Sequence, residues 1–303
     1  MAKFLFAWEL GGGLGHTVPL SQIARPLLDQ GHDVHVALRD LSTAPAVFGT
    51  AMDHSRLRLW QAPVWLAALR GLPESATYAE LLFRAGFLDA RRLLGPVLGW
   101  RSLYEAVAPQ LLLVDHAPTA LLAAKGQAMR TASIGTGFFQ PPRAHPIPPF
   151  REWEAIDPAR VRAAEDKALA TINAVLANLK EAPLGRLHEL VAVDESFLLT
   201  WPELDHYGGR ASEARYRGPL STPAQGADAV WPEGGAPRVF AYLKGEYAAV
   251  EAVLGALAEA PFRTLAYVAS LPPPLAARYG SKRLRLSPAP VNMAQVCAQA
   301  DVV

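Results

Sequence analysis

Residues 4–16, FLFAWELGGGLGH, decide the fold of this 303-residue chain. The continuous apolar run at residues 4–8 predicts a buried strand of a parallel sheet. The glycine-rich residues 11–15 predict a tight turn, because glycine accepts backbone angles that other residues avoid. The segment therefore indicates a strand that leads through a turn into the next element.

The next 25 residues complete a recognisable unit. A helix is predicted to start near residues 17–19, since proline is accepted in a first helical turn. Apolar residues recur at helical spacing up to Leu28, and Gly31 suits the left-handed end of a helix. Residues 34–38 form a second apolar run. This strand–helix–strand order predicts a right-handed parallel crossover.

The same alternation continues to about residue 217 and predicts a doubly wound α/β sheet. Further strands are predicted at residues 57–60, at 111–114 ending at Asp115, at 131–134 and at 197–200; helices are predicted at 74–107, 118–126 and 151–179. Residues 141–149 hold five prolines and predict a stiff extended loop. Residues 218–237, rich in Pro, Gly, Ala and Ser, are interpreted as an interdomain linker.

Residues 238–303 predict a second Rossmann-like domain. Strands are expected at 239–243, 264–268 and 284–286, helices at 247–260 and 292–300, and a further strand opens at residue 301. A strand with no element after it is unusual, and about 65 residues are few for this architecture. We therefore expect the C-terminal domain to be incomplete, with the N-terminal domain spanning residues 1–217.

The composition narrows the classes of function. Hydrophobic residues make up 51% of the chain and charged residues 19%, which suits a folded core. The net charge of +1 gives no general attraction to nucleic acid. The single cysteine fits a cytoplasmic protein, and no apolar run reaches the roughly 20 residues of a spanning helix. Membrane contact, if any, is expected to be peripheral, and the oligomeric state is left open.

The glycine-rich turn has two interpretations besides a simple turn. A dinucleotide-binding loop requires glycine at its first, third and sixth positions. Gly11 and Gly13 fit this pattern, but the sixth position is His16. A nucleotide-dependent oxidoreductase with a variant loop therefore remains as an alternative, as does a protein that only binds a small molecule.

His16 and Asp115 are the candidate catalytic pair. Each follows an apolar strand, so both are expected at the carboxyl edge of one sheet, where open α/β sheets bind ligands. A helix N-terminus disfavours imidazolium, so His16 is predicted to be a base for a hydroxyl group. Asp115 is predicted to orient its ring. The alternatives are a His16 that only caps the turn, an Asp115 that caps the helix at Pro118, and His116 as a rival partner.

The chain resembles the GT-B glycosyltransferases. Gly13-Leu14-Gly15-His16 followed by Pro19, and later Gly31-His32-Asp33-Val34, is similar to the N-terminal domain of the group that includes macrolide, sterol and UDP-glucuronosyl transferases. Leu111–Asp115 resembles the strand that carries the aspartate partner of the catalytic histidine. Residues 238–268 and 289–303 resemble parts of the nucleotide-sugar domain.

The resemblance implies an inverting, metal-independent transfer of a sugar from a UDP- or dTDP-sugar to a hydroxyl of a small hydrophobic acceptor. No cofactor is expected, and no two aspartates stand two residues apart as in metal-binding transferases. Donor-binding roles are predicted for Gly13, Gly15, Lys244, Gly245, Val291 and Asn292. Acceptor-binding roles are predicted for Leu14, Phe83, Phe87, His116, Thr136 and Phe138.

Two departures from the family pattern concern the donor site. A small hydroxyl residue and glycine usually follow the first strand of the second domain, whereas this chain has Tyr242-Leu243-Lys244-Gly245. The His-x-Gly motif that binds the diphosphate is expected beyond Val303. On the acceptor side, we expect the 141–150 loop and the apolar 74–100 segment to line the site.

Overall fold

The computed structural model describes residues 1–67, 71–151, 153–208, 210, 215–220 and 226–303. The chain forms two compact units, Met1–Leu220 and Ser221–Val303. None of the helices in these described ranges is long and apolar enough to cross a bilayer.

The first unit contains a six-stranded, all-parallel sheet. Its strands are β1 (Lys3–Trp8), β2 (Asp33–Leu38), β3 (Leu57–Gln61), β4 (Leu111–Asp115), β5 (Arg130–Gly135) and β6 (Glu195–Leu198). Their order across the sheet is β3-β2-β1-β4-β5-β6. The helices are α1 (Leu14–Asp29), α2 (Ala44–Phe48), α3 (Tyr78–Arg84), α4 (Ala90–Val107), α5 (Pro118–Ala124) and α6 (Pro158–Asn178). The predicted doubly wound fold is confirmed.

The strand order reverses between β1 and β4, and this switch point positions the candidate site. The two strands are neighbours, and the last residue of β1, Trp8, pairs with the last residue of β4, Asp115. The loops that leave these strands run to opposite sides of the sheet, which opens a crevice at their carboxyl ends. His16 and Asp115 both lie at this point.

Both faces of the sheet are covered by buried side chains. Leu5 and Ala7 of β1 join the cluster that contains α4 and α5, while Phe6 and Trp8 join the cluster that contains α1. Alternate residues of a strand point to opposite faces, so one apolar run supplies both clusters. Each large side chain buried in this way contributes about 1.5–3 kcal/mol.

Several helix boundaries differ from the predictions. α1 starts at Leu14, because Gly13 at φ +76° turns the chain into the helix earlier than expected, so His16 lies in the first helical turn. The predicted helix at 74–107 is two helices, separated where Gly86 has φ +94° and where Asp89 caps α4. The helix predicted from residue 151 begins at Pro158, where Asp157 accepts a backbone N–H and acts as the N-cap.

The second unit has a three-stranded parallel sheet in the order β7-β8-β9. Its elements are β7 (Arg238–Lys244), α7 (Val250–Glu259), β8 (Arg263–Ala269), α8 (Pro273–Tyr279), β9 (Leu284–Ser287) and α9 (Met293–Gln299). Val302 forms a parallel bridge with Val239 of β7.

Part of the predicted linker belongs to this second unit. Ala227 pairs with Val291, and the Trp231 indole donates to the Gln299 side chain at 2.8 Å. These contacts fasten residues 227–231 to residues 291–299, so this part of the Pro- and Gly-rich stretch is packed on the second unit. Residues 221–225 of the predicted linker lie outside the described residues.

Candidate functional site

His16 and Asp115 are hydrogen-bonded at the switch point of the first sheet. Nδ1 of His16 lies 2.9 Å from Oδ1 of Asp115. The Asp115 side chain is 2% exposed and that of His16 is 16% exposed. A neutral imidazole whose Nδ1–H donates to the carboxylate keeps a lone pair on Nε2. The pair therefore has the geometry of an oriented base, with the carboxylate buried and the ring at the surface of the crevice.

Burial controls the ionisation of the groups around the ring. Burial raises the pKa of Asp115, while its hydrogen bond to His16 and the charge of His16 act in the opposite direction. Burial, together with the neighbouring His16 charge, lowers the pKa of His116 to about 3. His116 is consequently neutral at pH 7, and only one of the two adjacent histidines is accessible from the crevice.

The His16 ring is held between aromatic side chains and a glycine. It stacks on Trp8 with ring centroids 5.5 Å apart, and Phe139 lies at 5.6 Å. A Cβ at Gly11 would fall 2.2 Å from Nε2 of His16, and Gly11 has φ +91°. Gly11 is thus a site residue that sequence reasoning missed. Gly11 is one of three consecutive glycines, and the sequence does not show which of them must lack a side chain.

Gly135, at the end of β5, is a second glycine with a role at the site. A Cβ there would fall 2.2 Å from the Phe139 ring and 3.4 Å from Oδ1 of Asp115. Its φ of +131° also disfavours a side chain. The absence of a side chain at this position lets Phe139 lie beside the dyad.

The predicted acceptor residues have different environments. His116 is buried and stacks on Phe139 at 4.6 Å, and its Nε2 has no hydrogen-bond partner among the described residues. Phe138 contacts His116 edge-on at 6.4 Å and Phe150 of the proline-rich loop at 4.6 Å. Aromatic contacts therefore connect the 141–150 loop with His16.

The other four predicted acceptor residues differ in their exposure. Leu14 and Thr136 are exposed, and Phe83 is partly buried against the core. Phe87 is 0% exposed and packs inside the core cluster of α4. The prediction for Phe87 is wrong for this structure, because an apolar residue in an apolar segment looked the same whether it walled a pocket or filled the core.

The predicted donor residues are divided between the two units. Gly13 precedes α1 and Gly15 lies in its first turn. In the second unit Lys244 is exposed at the end of β7, and the amide of Gly245 donates to Ala269 O at 2.7 Å. A side chain at Gly245 would collide with Ser270 O, which a Cβ would approach to 2.5 Å.

Val291 and Asn292 serve the structure of the second unit. Val291 is buried and paired with Ala227. The Asn292 side chain accepts from the amides of Ala294 and Gln295 and caps α9. The side-chain oxygen of Asn292 is therefore occupied in this structure.

The second unit also has an open cavity of about 830 Å³, which no predicted residue lines. It lies along α8, β8 and β9, and its walls include Ser270, Lys282, Arg285 and Ser287. Its volume is in the range of small-molecule sites. The two cationic side chains and the serine hydroxyls of this lining suit an anionic ligand.

Glu9 is a further group that sequence reasoning missed. It follows β1 directly, is 1% exposed, and accepts the amides of Thr119 at 2.9 Å and Ala120 at 2.7 Å. Burial raises the pKa of Glu9 to about 7, against the opposing effect of these two hydrogen bonds. A buried carboxylate thus caps α5 from a neighbouring strand.

The protein is expected to lose stability as pH rises from about 4.5 to 7. The folded state binds the Glu9 proton more tightly than the unfolded chain, whose pKa is the ordinary 4.5. The contribution of protonated Glu9 to the free energy of unfolding, about 3 kcal/mol, is therefore complete below pH 4.5 and is lost as the pH rises through 7. Urea unfolding of wild type and Glu9→Gln at pH 5 and 8 measures it. Equal changes between the two pH values in both proteins would contradict the prediction.

The fold is similar to that of solved glycosyltransferases, although no protein-family model and no curated protein matches the sequence. The glycotransferase of kitacinnamycin superposes with a TM-score of 0.61 at 19% identity, covering 99% of this chain and 74% of that one. The spinosyn rhamnosyltransferase SpnG complexed with thymidine diphosphate gives 0.57 at 17% identity, covering 100% and 74%. A UDP-glucosyltransferase from Polygonum tinctorium capable of glucosylating indoxyl gives 0.55 at 15% identity, covering 99% and 74%. The expected structural resemblance to GT-B glycosyltransferases is confirmed.

Proposed function

We propose that this chain belongs to an inverting glycosyltransferase that moves a sugar from a UDP- or dTDP-sugar to a hydroxyl of a small hydrophobic acceptor without a metal ion. The observation that carries the proposal is the 2.9 Å hydrogen bond between His16 and the buried Asp115 at the sheet's switch point. The GT-B fold, shared with structures described as glycosyltransferases, supports it.

In the proposed reaction His16 Nε2 takes the proton of the acceptor hydroxyl while that oxygen attacks the anomeric carbon. The bond from this carbon to the diphosphate breaks, and the diphosphate leaves with the electron pair. One displacement from the opposite face inverts the configuration. Asp115 stabilises the imidazolium that forms and keeps the ring oriented, which is the role of the aspartate in hydrolase triads.

The side chains near His16 support a hydrophobic acceptor. Phe139 contacts the His16 ring, Phe138 lies next to Phe139 in the chain, and the exposed Leu14 lies two residues before His16. Aromatic faces of this kind pack against planar apolar molecules. We propose that the acceptor hydroxyl is presented to Nε2 by such contacts.

The donor is proposed to bind the second unit. Lys282 and Arg285 line a cavity that can hold a ligand of nucleotide size. Their charges suit the diphosphate of a nucleotide sugar, although the predicted donor residues Lys244, Gly245, Val291 and Asn292 lie outside its lining. A cytoplasmic location is also proposed, since the lone Cys297 is exposed and free, as suits a reducing compartment.

The competing functions are a nucleotide-dependent oxidoreductase and a protein that binds a small molecule without catalysis. Neither is favoured over sugar transfer. The sixth position of the glycine loop carries His16, which is hydrogen-bonded to Asp115, whereas a dinucleotide-binding loop needs glycine there. A protein that only binds a small molecule does not require a histidine oriented by a buried carboxylate.

The test combines binding and turnover. The protein is titrated with UDP, dTDP and NAD, and then incubated with UDP- and dTDP-sugars and a panel of aromatic alcohols, with and without EDTA. We expect binding of UDP or dTDP, no binding of NAD, and a glycoside of inverted configuration that forms equally with EDTA. Binding of NAD alone would support the oxidoreductase, and binding without a glycoside for any acceptor would support the non-catalytic protein.

A further inference from the structure

Glu9 connects the two strand ends that carry the dyad. It is the residue after β1, and both of its carboxylate oxygens accept backbone amides of α5, the helix that begins three residues after Asp115. One residue further on, the amide of Leu10 donates to His116 O at 3.1 Å. Glu9 and Leu10, which follow β1, thus contact the loop after β4 at two points: Leu10 at His116, and Glu9 at the first turn of α5.

The capping arrangement is not the local one that α5 would ordinarily have. Its own N-cap residue, Ala117, offers no side-chain acceptor. A serine, threonine, aspartate or asparagine at that position would satisfy the first amides of the helix without burying a carboxylate. Burying a carboxylate costs free energy. In return, a cap that comes from the residue after β1 links the end of β1 to the helix that follows β4.

The chain runs from Glu9 to His16 through only six intervening residues. On the other side, Thr119 and Ala120, whose amides donate to Glu9, lie four and five residues after Asp115. The Trp8 ring, next to Glu9, stacks on His16. The sheet pairs the Asp115 backbone with Trp8, so a shift of α5 relative to β1 would act on the dyad through the short β4–α5 loop, at the residue that carries the Asp115 side chain.

We propose that Glu9 is a positioning residue for the His16–Asp115 pair: its carboxylate clamps the start of α5 to the end of β1 and so sets the hydrogen bond between the two side chains. Glu9 does not touch the reacting atoms in this role. It acts through the β4–α5 loop and its backbone. The kinetic consequence of the proposal rests on the proposed function, whereas the structural consequence can be measured without any activity.

The experiment uses Glu9→Gln in the whole chain with ¹⁵N-labelled histidine at pH 8, where Glu9 of the wild type is ionised. Glutamine keeps one carbonyl oxygen but turns an N–H toward the second amide, so the clamp loses one bond and gains a repulsion. The wild-type protein is expected to show a hydrogen-bonded Nδ1 proton for His16, identified by its loss in His16→Ala. Glu9→Gln is expected to lose or shift this signal and to change the tautomer ratio of the ring.

Glu80→Gln is the matched control. Glu80 is another buried carboxylate that accepts a backbone amide, that of Ala76, and it pairs with Arg160. Glu80→Gln is expected to lower the stability of the fold while leaving the Nδ1 proton signal of His16 unchanged. If Glu9→Gln also leaves the His16 signal as in wild type, Glu9 is only structural and the proposal fails.

A second variant and a kinetic measurement complete the test. If Glu9→Gln does not fold, Glu9→Asp replaces it, since it keeps the charge but is one methylene shorter; an unchanged His16 signal in that variant would again overturn the proposal. In the transfer assay, Glu9→Gln is expected to lower kcat by roughly 10–10²-fold with the KM for the nucleotide sugar unchanged. An absence of transfer in wild type would reject the proposed function and leave the histidine signals to decide the role of Glu9.

Discussion

Replacing His16 with alanine is expected to lower turnover by about 10²–10⁴-fold, the usual effect of removing a general base. The imidazole is the group at the switch point whose Nε2 remains available for a proton while Nδ1 is bonded to Asp115. The affinity for UDP or dTDP should stay within about twofold, because His16 belongs to the first unit and the proposed nucleotide cavity to the second. Steady-state kinetics and calorimetric titration measure the two quantities.

Asp115→Asn provides the matched comparison at the other end of the same hydrogen bond. It is expected to lower turnover less than His16→Ala, since an amide oxygen still accepts from Nδ1 but no longer stabilises the imidazolium by charge. Undiminished transfer by His16→Ala would rule out His16 as the base. A larger loss in Asp115→Asn than in His16→Ala would show that the two roles are reversed or that Asp115 acts on the substrate itself.

Replacing Gly11 with alanine is expected to lower turnover on the order of 10²-fold while the dyad residues themselves are intact. The new Cβ would lie 2.2 Å from Nε2 of His16, so the ring must move away from Asp115 or the loop must change its path. The atom in conflict belongs to a ring held by Trp8 and Phe139, so it cannot swing aside at little cost.

The same turn supplies two controls that separate the collision from backbone strain. An alanine at Gly12 meets no atom within 4 Å and has no unusual φ, so turnover should remain near wild type. An alanine at Gly13 also meets nothing, but its φ of +76° and ψ of −172° are open almost only to glycine, so this variant reports the stability cost of backbone strain alone, about 1–3 kcal/mol. If Gly11→Ala turns over as fast as Gly12→Ala, Gly11 does not control the position of His16.

The part of the candidate site that depends on local sequence patterns could be predicted. The apolar runs that became β1 and β4 are continuous, so their ends, and with them His16 and Asp115, could be placed at one sheet edge. Whether Asp115 would face His16 or cap α5 could not be decided, because both targets lie within reach of a strand end. The structure gives the capping to Glu9 and leaves Asp115 hydrogen-bonded to His16.

Helix ends and side-chain environments were harder to predict for the same reason. The start of α1 at Leu14 depends on the φ of Gly13, and a run of glycines does not reveal which one adopts a positive angle. Phe87 and Phe138 are both aromatic residues beside predicted pocket segments, yet one is in the core and the other contacts His116. Burial depends on what packs from distant parts of the chain.

The sequence by itself determined the doubly wound class and the parallel strands, and it placed His16 and Asp115 at one edge of the sheet, since these follow from hydrophobic period and strand–turn–helix order. Only the tertiary structure decided that Glu9 ties β1 to α5 and that Gly11 makes room for His16. It also decided that residues 227–231 pack on the second unit. These are contacts between segments up to 111 residues apart, and their geometry depends on how the strands are ordered in the folded sheet.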